Sequence, residues 1–548
     1  MSSTTRGYAA LAGVTAAAVA IGSAELVAVL TGPRSAPLVA VGGLVVDTVP
    51  EPLKQLGIAL FGTYDKIALL VGTGLLLAAF AALLGVLSRR RLAIGLAGVA
   101  AFAALGVAAA VTRAGAGPTD ALPSLAGAGL GAAVLWAFVA GPLELDPWPW
   151  SPPAPPPAER ATPPPADGPA PPPAEKPTPP AATAPPQPLE PSDPASRRRF
   201  LTGAGVLVGA AGVAGLGGRW LAGRRGVSAA RDAVVLPAPA APAAAVPAGA
   251  ELSLTQLAPY VTPNLGFYRI DTALVLPQVD PESWRLRIHG RVRNEIELSF
   301  ADLLARPLVE RYVTLACVSN EVGGDLIGNA RWLGVPIREL LDEAEPEEGA
   351  DQVVGRSVDG WTCGTPTAVL RDGRDALLAV GMNGEPLPVE HGFPVRMVVP
   401  GLYGYVSACK WVTELELTSF ADFDAYWVPR GWSAQGPVKT QSRIDRPRPR
   451  NRLTAGAVTV AGVAWAQHRG IRRVEVRVDD GPWREAELAA AVSVDTWVQW
   501  SWRWDATPGE HTLSVRATDA TGETQTGRRQ AVAPDGATGW HTVSVTVR

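Results

Sequence analysis

The stretch Val313-Thr314-Leu315-Ala316-Cys317-Val318-Ser319-Asn320-Glu321-Val322-Gly323-Gly324 decides how this chain is read. A short β-branched run ends on a lone cysteine and gives way to a polar, glycine-bearing loop. That placement sets the sulfur at the mouth of a sheet, where a thiolate can meet a ligand. A lone cysteine at a strand end is otherwise a small buried hydrophobe, its commonest fate, so the neighbouring motifs must decide. The next informative stretch is His391-Gly392-Phe393-Pro394-Val395-Arg396-Met397-Val398-Val399-Pro400-Gly401, continuing through Gly404, Ser407, Lys410 and Trp411. A His and an Arg near a strand start, a glycine turn and then a Lys can clamp a multiply charged anion. Arg supplies forked donors for phosphate and Lys a point charge.

Working outward, the composition excludes several classes. The chain has 548 residues, enough for several domains, and a formal net charge of only -3. No long basic run occurs, so nucleic-acid binding has no electrostatic support. The three cysteines, Cys317, Cys363 and Cys409, form no C-x-x-C pair. That argues against structural zinc, iron–sulfur clusters and covalently attached haem. Cys363 and Cys409 are either bonded to each other or two buried thiols. The five histidines, His289, His391, His468, His511 and His541, all lie in the C-terminal half. Residues 1–288 therefore cannot supply bis-histidine ligands, no haem is expected, and electrons must pass to or from a separate partner.

The N-terminal region reads as membrane. Apolar stretches near 8–30, 67–87, 92–112 and 121–141 are each about 20 residues, enough to cross a hydrocarbon core of roughly 30 Å. Residues 1–145 are thus expected to form four spanning helices, with Glu25 a solvated or interfacial carboxylate. Segment 42–62 carries Asp47, Glu51 and Lys54 and reads as a loop or interfacial piece. Arg89-Arg90-Arg91 marks a cytoplasmic loop by the positive-inside rule. Residues 146–195 are a Pro/Ala-rich cytoplasmic linker, extended because proline fixes φ and removes donors.

Ser196-Arg197-Arg198-Arg199-Phe200-Leu201-Thr202 and the Gly/Ala-rich stretch behind it resemble a twin-arginine export signal, with Thr202 where the pattern has Lys. The alternative is an ordinary fifth span with a basic flank. Either way 196–222 is an anchor helix, and everything after 225 is expected outside the cytoplasm. Because that route moves folded proteins, the signal suggests a cofactor inserted before export. A second tether follows at 223–250. From 251 to 447 strands near 284–290, 311–316, 395–399 and 411–418 alternate with helices near 299–305 and 336–344, which reads as α+β. From 448 to 548 the chain is almost purely strand and turn, with runs near 457–465, 472–479, 496–505, 511–519 and 540–547. That pattern predicts an all-β sandwich, its many tryptophans core and strand-pair residues.

Together these motifs resemble the sulfite oxidase family of molybdopterin enzymes. The resemblance rests on His391-Gly392-Phe393-Pro394-Val395-Arg396, the later Lys410-Trp411, Met382-Asn383-Gly384-Glu385-Pro386-Leu387-Pro388, and Cys317 followed by Asn320. It covers about 255–445 for the cofactor domain and 450–548 for the family's immunoglobulin-like domain. It implies that Cys317 ligates molybdenum and is the catalytic centre's protein ligand. It further implies that Asn264, His391, Arg396, Ser407 and Lys410, with Asp359 as an additional candidate, hold the pterin and its phosphate. The implied chemistry is oxygen-atom transfer on a small molecule, with the metal cycling between Mo(VI) and Mo(IV). A soft thiolate suits that role. The family's sandwich also implies a homodimer.

Two departures bear on substrate. Sulfite-oxidising members carry an Arg immediately before the residue matching Asn264, where this chain has Pro263. They also supply a Tyr where Tyr426-Trp427-Val428-Pro429-Arg430-Gly431-Trp432 offers Trp432. Losing a cation weakens the case for a small dianion such as sulfite, with Arg430 or Arg269 the candidate replacement. The alternatives are a methionine-sulfoxide or other S-oxide reductase, a non-catalytic surface protein with a relic cofactor fold, and a membrane transporter or sensor with an accessory outer domain.

Overall fold

The computed structural model describes residues 3–49, 53, 60, 65–113, 116–144, 194–224 and 226–548. The linker expected over 146–195 lies outside them apart from its last two residues. The chain divides into two compact units, one within 1–223 and one holding 224–548.

The first unit is helical: α1 (Ser3–Thr31), α2 (Pro37–Thr48), α3 (Asp65–Ser88), α4 (Leu92–Val111), α5 (Leu122–Ala140) and α6 (Pro194–Arg224). Five of these are long and apolar enough to cross a membrane; the short α2 is not. The first third of the segment expected to be a loop, 42–62, is thus the end of helix α2, and 50–64 lies almost wholly outside the described residues. Small residues set the helix spacing, as expected where no water drives association. A Cβ on Gly13 would lie 2.0 Å from the Ala81 carbonyl oxygen, and one on Gly22 would lie 2.4 Å from that of Ala211. Glu25 corrects the expectation of a solvated carboxylate: it is 9% exposed and sits 3.4 Å from the Arg219 guanidinium of α6. A carboxylate inside a helix bundle needs such a partner.

The second unit is α+β followed by a sandwich. Its strands are β1 (Arg285–Gly290), β2 (Ile296–Ser299), β3 (Val309–Ala316), β4 (Ile327–Pro336), β5 (Gln352–Ser357) and β6 (Thr362–Pro366). They continue as β7 (Leu377–Met382), β8 (Glu385–Pro386), β9 (Arg396–Val398) and β10 (Val412–Thr418). Besides a short helix at Ser228–Asp232, the helices are α7 (Phe300–Leu304), α8 (Ile337–Ala344) and α9 (Thr367–Arg371). One sheet runs β2-β1-β10-β5-β6 and the other β3-β4-β7-β8, with β9 paired to β7. The sandwich takes β11 (Gln441–Arg446), β12 (Arg452–Leu453), β13 (Gly456–Trp465), β14 (Ile471–Val478), β15 (Arg484–Glu485), β16 (Glu487–Leu488), β17 (Val498–Ala506), β18 (Gly509–Asp519) and β19 (His541–Val547). Its sheets are β11-β13-β17-β16 and β12-β19-β18-β14-β15.

The fold class expected from the sequence is the one observed. The α+β part and the sandwich share a core: Trp465 and Trp497 pack into the same buried cluster as Trp284, Leu341 and Trp411. Strand β3 lies at the edge of its sheet, and an uncovered edge leaves backbone groups unpaired. Both ends of that edge are covered. Glu310 N–H donates to the Ala241 carbonyl (2.9 Å), and Ala240 N–H to that of Leu308 (2.7 Å). Further along, Thr314 N–H donates to the Asp495 carbonyl (3.0 Å), and Gln467 Nε2 donates to the Thr314 carbonyl (3.0 Å).

Within the sandwich, Asp519 is fully buried and ties β18 to its surroundings. Its carboxylate accepts from Arg469 Nε (2.8 Å), Thr440 Oγ1 (2.8 Å) and Thr521 Oγ1 (2.6 Å). Burial pushes its pKa up, but these donors outweigh it and hold the carboxyl well below the usual range. A depressed folded-state pKa gives stability that is present above the unfolded value of about 3.9 and lost as pH falls below it. Because the loss is complete only below the folded value, Asp519→Asn is expected to cost roughly 1.5–3 kcal/mol at pH 7 and about 1 kcal/mol less at pH 3. Thermal melts of the full chain in detergent at the two pH values check this; an equal loss at both contradicts it.

Candidate active site

Cys317 follows the last residue of β3 and is 8% exposed. The loop behind it is tied back on itself. Cys317 N–H donates to the Leu326 carbonyl (2.9 Å), and Asn320 Oδ1 accepts from Leu326 N–H (2.9 Å). Ser319 N–H donates to Cys317 Sγ at 3.4 Å. Burial raises the thiol pKa, while the Ser319 donors and Lys410 pull it back. As it stands the sulfur is a protonated thiol; an adjacent cation of higher charge would be needed to hold it as a thiolate.

The polar groups of the second motif gather near this loop. His391 is buried at the end of a single helical turn (Val389–His391), and its Nε2 lies 3.1 Å from the Asn264 carbonyl. A carbonyl only accepts, so Nε2 carries the proton. Burial, reinforced by Arg396, lowers the ring's pKa to about 4, so the imidazole is neutral. Arg396 opens β9, is 4% exposed, and donates to the carbonyls of His391 (3.1 Å) and Met397 (3.3 Å). Its guanidinium lies over the Trp332 ring at 5.0 Å. Burial brings it down to about 10. Lys410 Nζ bonds Asp271 Oδ2 (3.0 Å) and the Glu390 carbonyl (3.1 Å), and the same Asp271 oxygen accepts from Arg269 Nε (2.9 Å). Burial lowers Lys410 to about 8; Asp271 opposes this, and Arg396 pushes it further down.

The electrostatics show what is missing. Among the described residues Arg269 and Lys410 share one carboxylate, Asp271, and Arg396 makes no ion pair, only bonds to carbonyls. Buried cations are costly unless paired. Here burial depresses the pKa of both Arg396 and Lys410, and only Lys410 has a carboxylate that opposes it. An anionic group with phosphate oxygens fits that deficit.

The remaining candidates are placed differently. Asn264 starts the turn Asn264–Gly266, and its side chain is engaged by Asn383 (2.7 Å) and Glu385. Ser407 is fully buried, and its hydroxyl donates to the Tyr403 carbonyl (2.9 Å), inside its own loop. Asp359 lies in the β5–β6 turn and accepts from Trp361 N–H (3.2 Å). Trp432 packs at 5.9 Å from Tyr405 and 6.2 Å from Trp427, and Arg430 stacks on Tyr426 at 3.7 Å. Cys363 and Cys409 are free thiols, each fully buried. Cys363 Sγ lies 3.9 Å from Met397 Sδ.

Sequence reasoning missed Asp271, Tyr268 and Trp332. Burial raises the pKa of the Tyr268 hydroxyl strongly, with Cys317 and Arg396 as its titratable neighbours. Nothing in the sequence around 267–271 carries a period or motif that singles these residues out.

The comparisons agree with this geometry. Residues 273–427 match the oxidoreductase molybdopterin binding domain, and 441–515 match a bacterial Ig domain. The chain is 30% identical over 276 residues to the sulfite oxidase of Arabidopsis thaliana, covering 41% of this chain and 70% of that protein. The chain belongs to the sulfite oxidase family of molybdopterin oxidoreductases. It is also 35% identical over 159 residues to YuiH, an uncharacterized oxidoreductase of Bacillus subtilis (strain 168), covering 29% of this chain and 76% of that one. Mitochondrial sulfite oxidase of Mus musculus is 32% identical over 287 residues, 44% of this chain and 52% of the relative. The chain thus spans about half the length of the first curated relatives it matches. It is an oxidoreductase with a molybdopterin-binding domain, and the positively charged pocket fits that cofactor's phosphate.

The sandwich reaches the loop that follows Cys317 directly. Arg443 Nη1 donates to the Gly324 carbonyl (2.7 Å) while its Nε pairs with Asp445 (2.6 Å). Gly323 has a φ of +81°, and a Cβ there would lie 2.2 Å from His541 Cδ2. Gly323→Ala therefore meets both a backbone and a steric penalty and is expected to destabilise the fold by roughly 1–3 kcal/mol. Hydrogen exchange should show lost protection across 317–326 with the sheet of β13 and β17 unaffected. Unchanged exchange in that loop would mean that the sandwich does not hold it.

Proposed function

We propose that this chain is a membrane-anchored, extracytoplasmic molybdenum-cofactor enzyme that transfers an oxygen atom to or from a neutral sulfur substrate rather than plain sulfite. The observation that carries it is the juxtaposition of Cys317 with the buried cations Arg396 and Lys410, of which only Lys410 meets a carboxylate. When bound, the cofactor supplies a two-electron metal centre. Cys317 is its protein ligand. Arg396, Lys410 and His391 hold the pterin and its phosphate; Asn264, Ser407 and Asp359 line the same cradle, partly through backbone groups. Residues 251–447 carry this site. A second role falls to Asp271, which keeps Lys410 charged and oriented.

The substrate reading rests on two side chains. Pro263 offers no charge beside Asn264, and Trp432 stands in an aromatic group with Tyr405 and Trp427. Arg430 is occupied by Tyr426, to which it is stacked and hydrogen-bonded. An aromatic wall without a free cation favours a neutral S-oxide or thioether over a dianion. An S-oxide reductase is therefore the favoured form of this activity.

For topology, the five apolar helices, the Arg89-Arg90-Arg91 loop and the twin-arginine-like start of α6 support a multi-pass protein with residues after 225 outside. Electrons come from a separate partner, and the sandwich supports a homodimer by family resemblance.

Metal analysis of the chain made in a molybdopterin-competent host is expected to find stoichiometric molybdenum. Cys317→Ser should abolish turnover with an unchanged melting temperature, and Arg396→Gln should lower the pterin recovered per chain. Metal-free protein, or full activity in Cys317→Ser, contradicts the assignment. A reporter fused after residue 240 should be active only outside the cytoplasm.

A further inference from the structure

The helical unit contains a cleft between α1, α2, α3, α4 and α5 of about 150 Å³, walled by Ala16, Ala20, Leu84, Phe102 and Gly131 among others. Among the described residues no charged side chain lines it. Ser124, in the first turn of α5, is its one polar side chain. Ser124 is 4% exposed, and its hydroxyl has no hydrogen-bond partner among the described residues. A buried hydroxyl without a partner is rare in a native structure and calls for an explanation. Gly106 opposite makes room for it, since a Cβ there would lie 2.6 Å from Ser124 Oγ.

We propose that this cleft binds the head ring of an isoprenoid quinone, with Ser124 donating to a ring carbonyl and the tail leaving through the open side. Size supports it: an apolar cavity of about 150 Å³ holds one six-membered aromatic ring. Polarity supports it as well. A phospholipid brings a phosphate that this lining cannot meet, whereas a quinone needs one donor and an apolar wall. Chemistry selects the occupant. An oxidoreductase needs an electron partner, and residues 1–288 contain no histidine to ligate a haem, so a neutral two-electron carrier soluble in lipid fills the gap. The choice of ligand rests on the proposed function, but its binding does not depend on molybdenum.

The test uses the full chain in mild detergent. Solvent extracts are assayed for quinone and phospholipid, and intrinsic fluorescence is titrated with a benzoquinone carrying a two-isoprene tail. Quinone is expected to co-purify. Ser124→Ala should bind the probe roughly two- to tenfold more weakly, the worth of one neutral hydrogen bond, with an unchanged or higher melting temperature. Ala103→Phe should fill the cleft and abolish binding. Extracts holding phospholipid alone, or equal probe affinity in the parent and Ser124→Ala, would overturn the proposal. Because metal content is measured separately, a negative result here leaves the molybdenum assignment standing, and a metal-free chain leaves the quinone titration interpretable.

Discussion

The exposed edge of β3 is the constraint on which the catalytic unit depends. The strand carries Cys317 at its end, yet only one of its sides is paired within its sheet, to β4. The tether at 240–241 covers its start, and Asp495 and Gln467 of the sandwich cover its end. Three separate pieces of chain therefore fix one sulfur atom. Thr314 shows how closely they are joined. Its hydroxyl donates to Asn329 Oδ1 in the same sheet and accepts from Trp497 N–H in the sandwich. Removing the sandwich would expose both a strand edge and the shared tryptophan core, so the cofactor region cannot keep this geometry without it.

A second constraint is electrostatic. Arg396 and Lys410 are buried at a cost that carbonyls, Trp332 and one carboxylate offset only in part. The chain accepts that cost where the ligand can repay it. Local stability is given up in a pocket whose preformed donors suit a multiply charged anion. The neutral His391 fits the same logic. A charged imidazole beside Arg396 would add repulsion, whereas the neutral ring locks Asn264 in place through one donated bond.

Much of this was legible in the sequence, and the limits have physical causes. Strands such as β1, β10, β13 and β18 fall within one or two residues of their expected positions, because β-branched runs bounded by turn residues report local structure. The hairpin of β5 and β6 was not anticipated; with Gly355 and Gly364 inside it, its pattern is weak. The His391, Arg396 and Lys410 group was legible because a contiguous motif encodes it. Asp271 and Tyr268 were not, because they reach the site only through long-range packing. Glu25 failed for the same reason: its partner Arg219 is 194 residues away.

That last pair bears on how the chain is anchored. Helix α6 meets α1 backbone to backbone, with Gly22 against Ala211 and Gly218 against Glu25. Phe200, in the stretch that resembles an export signal, is fully buried and packs on Tyr8 at 5.4 Å and Phe138 at 4.7 Å. An export signal that is removed after use has no reason to be fitted so closely to its neighbours. Cleavage would leave a glycine-lined seam open on α1 and a buried carboxylate without its guanidinium. Both losses are severe in a lipid environment, where water cannot replace the missing contacts. The packing therefore favours a helix that remains as the fifth long apolar helix of the bundle.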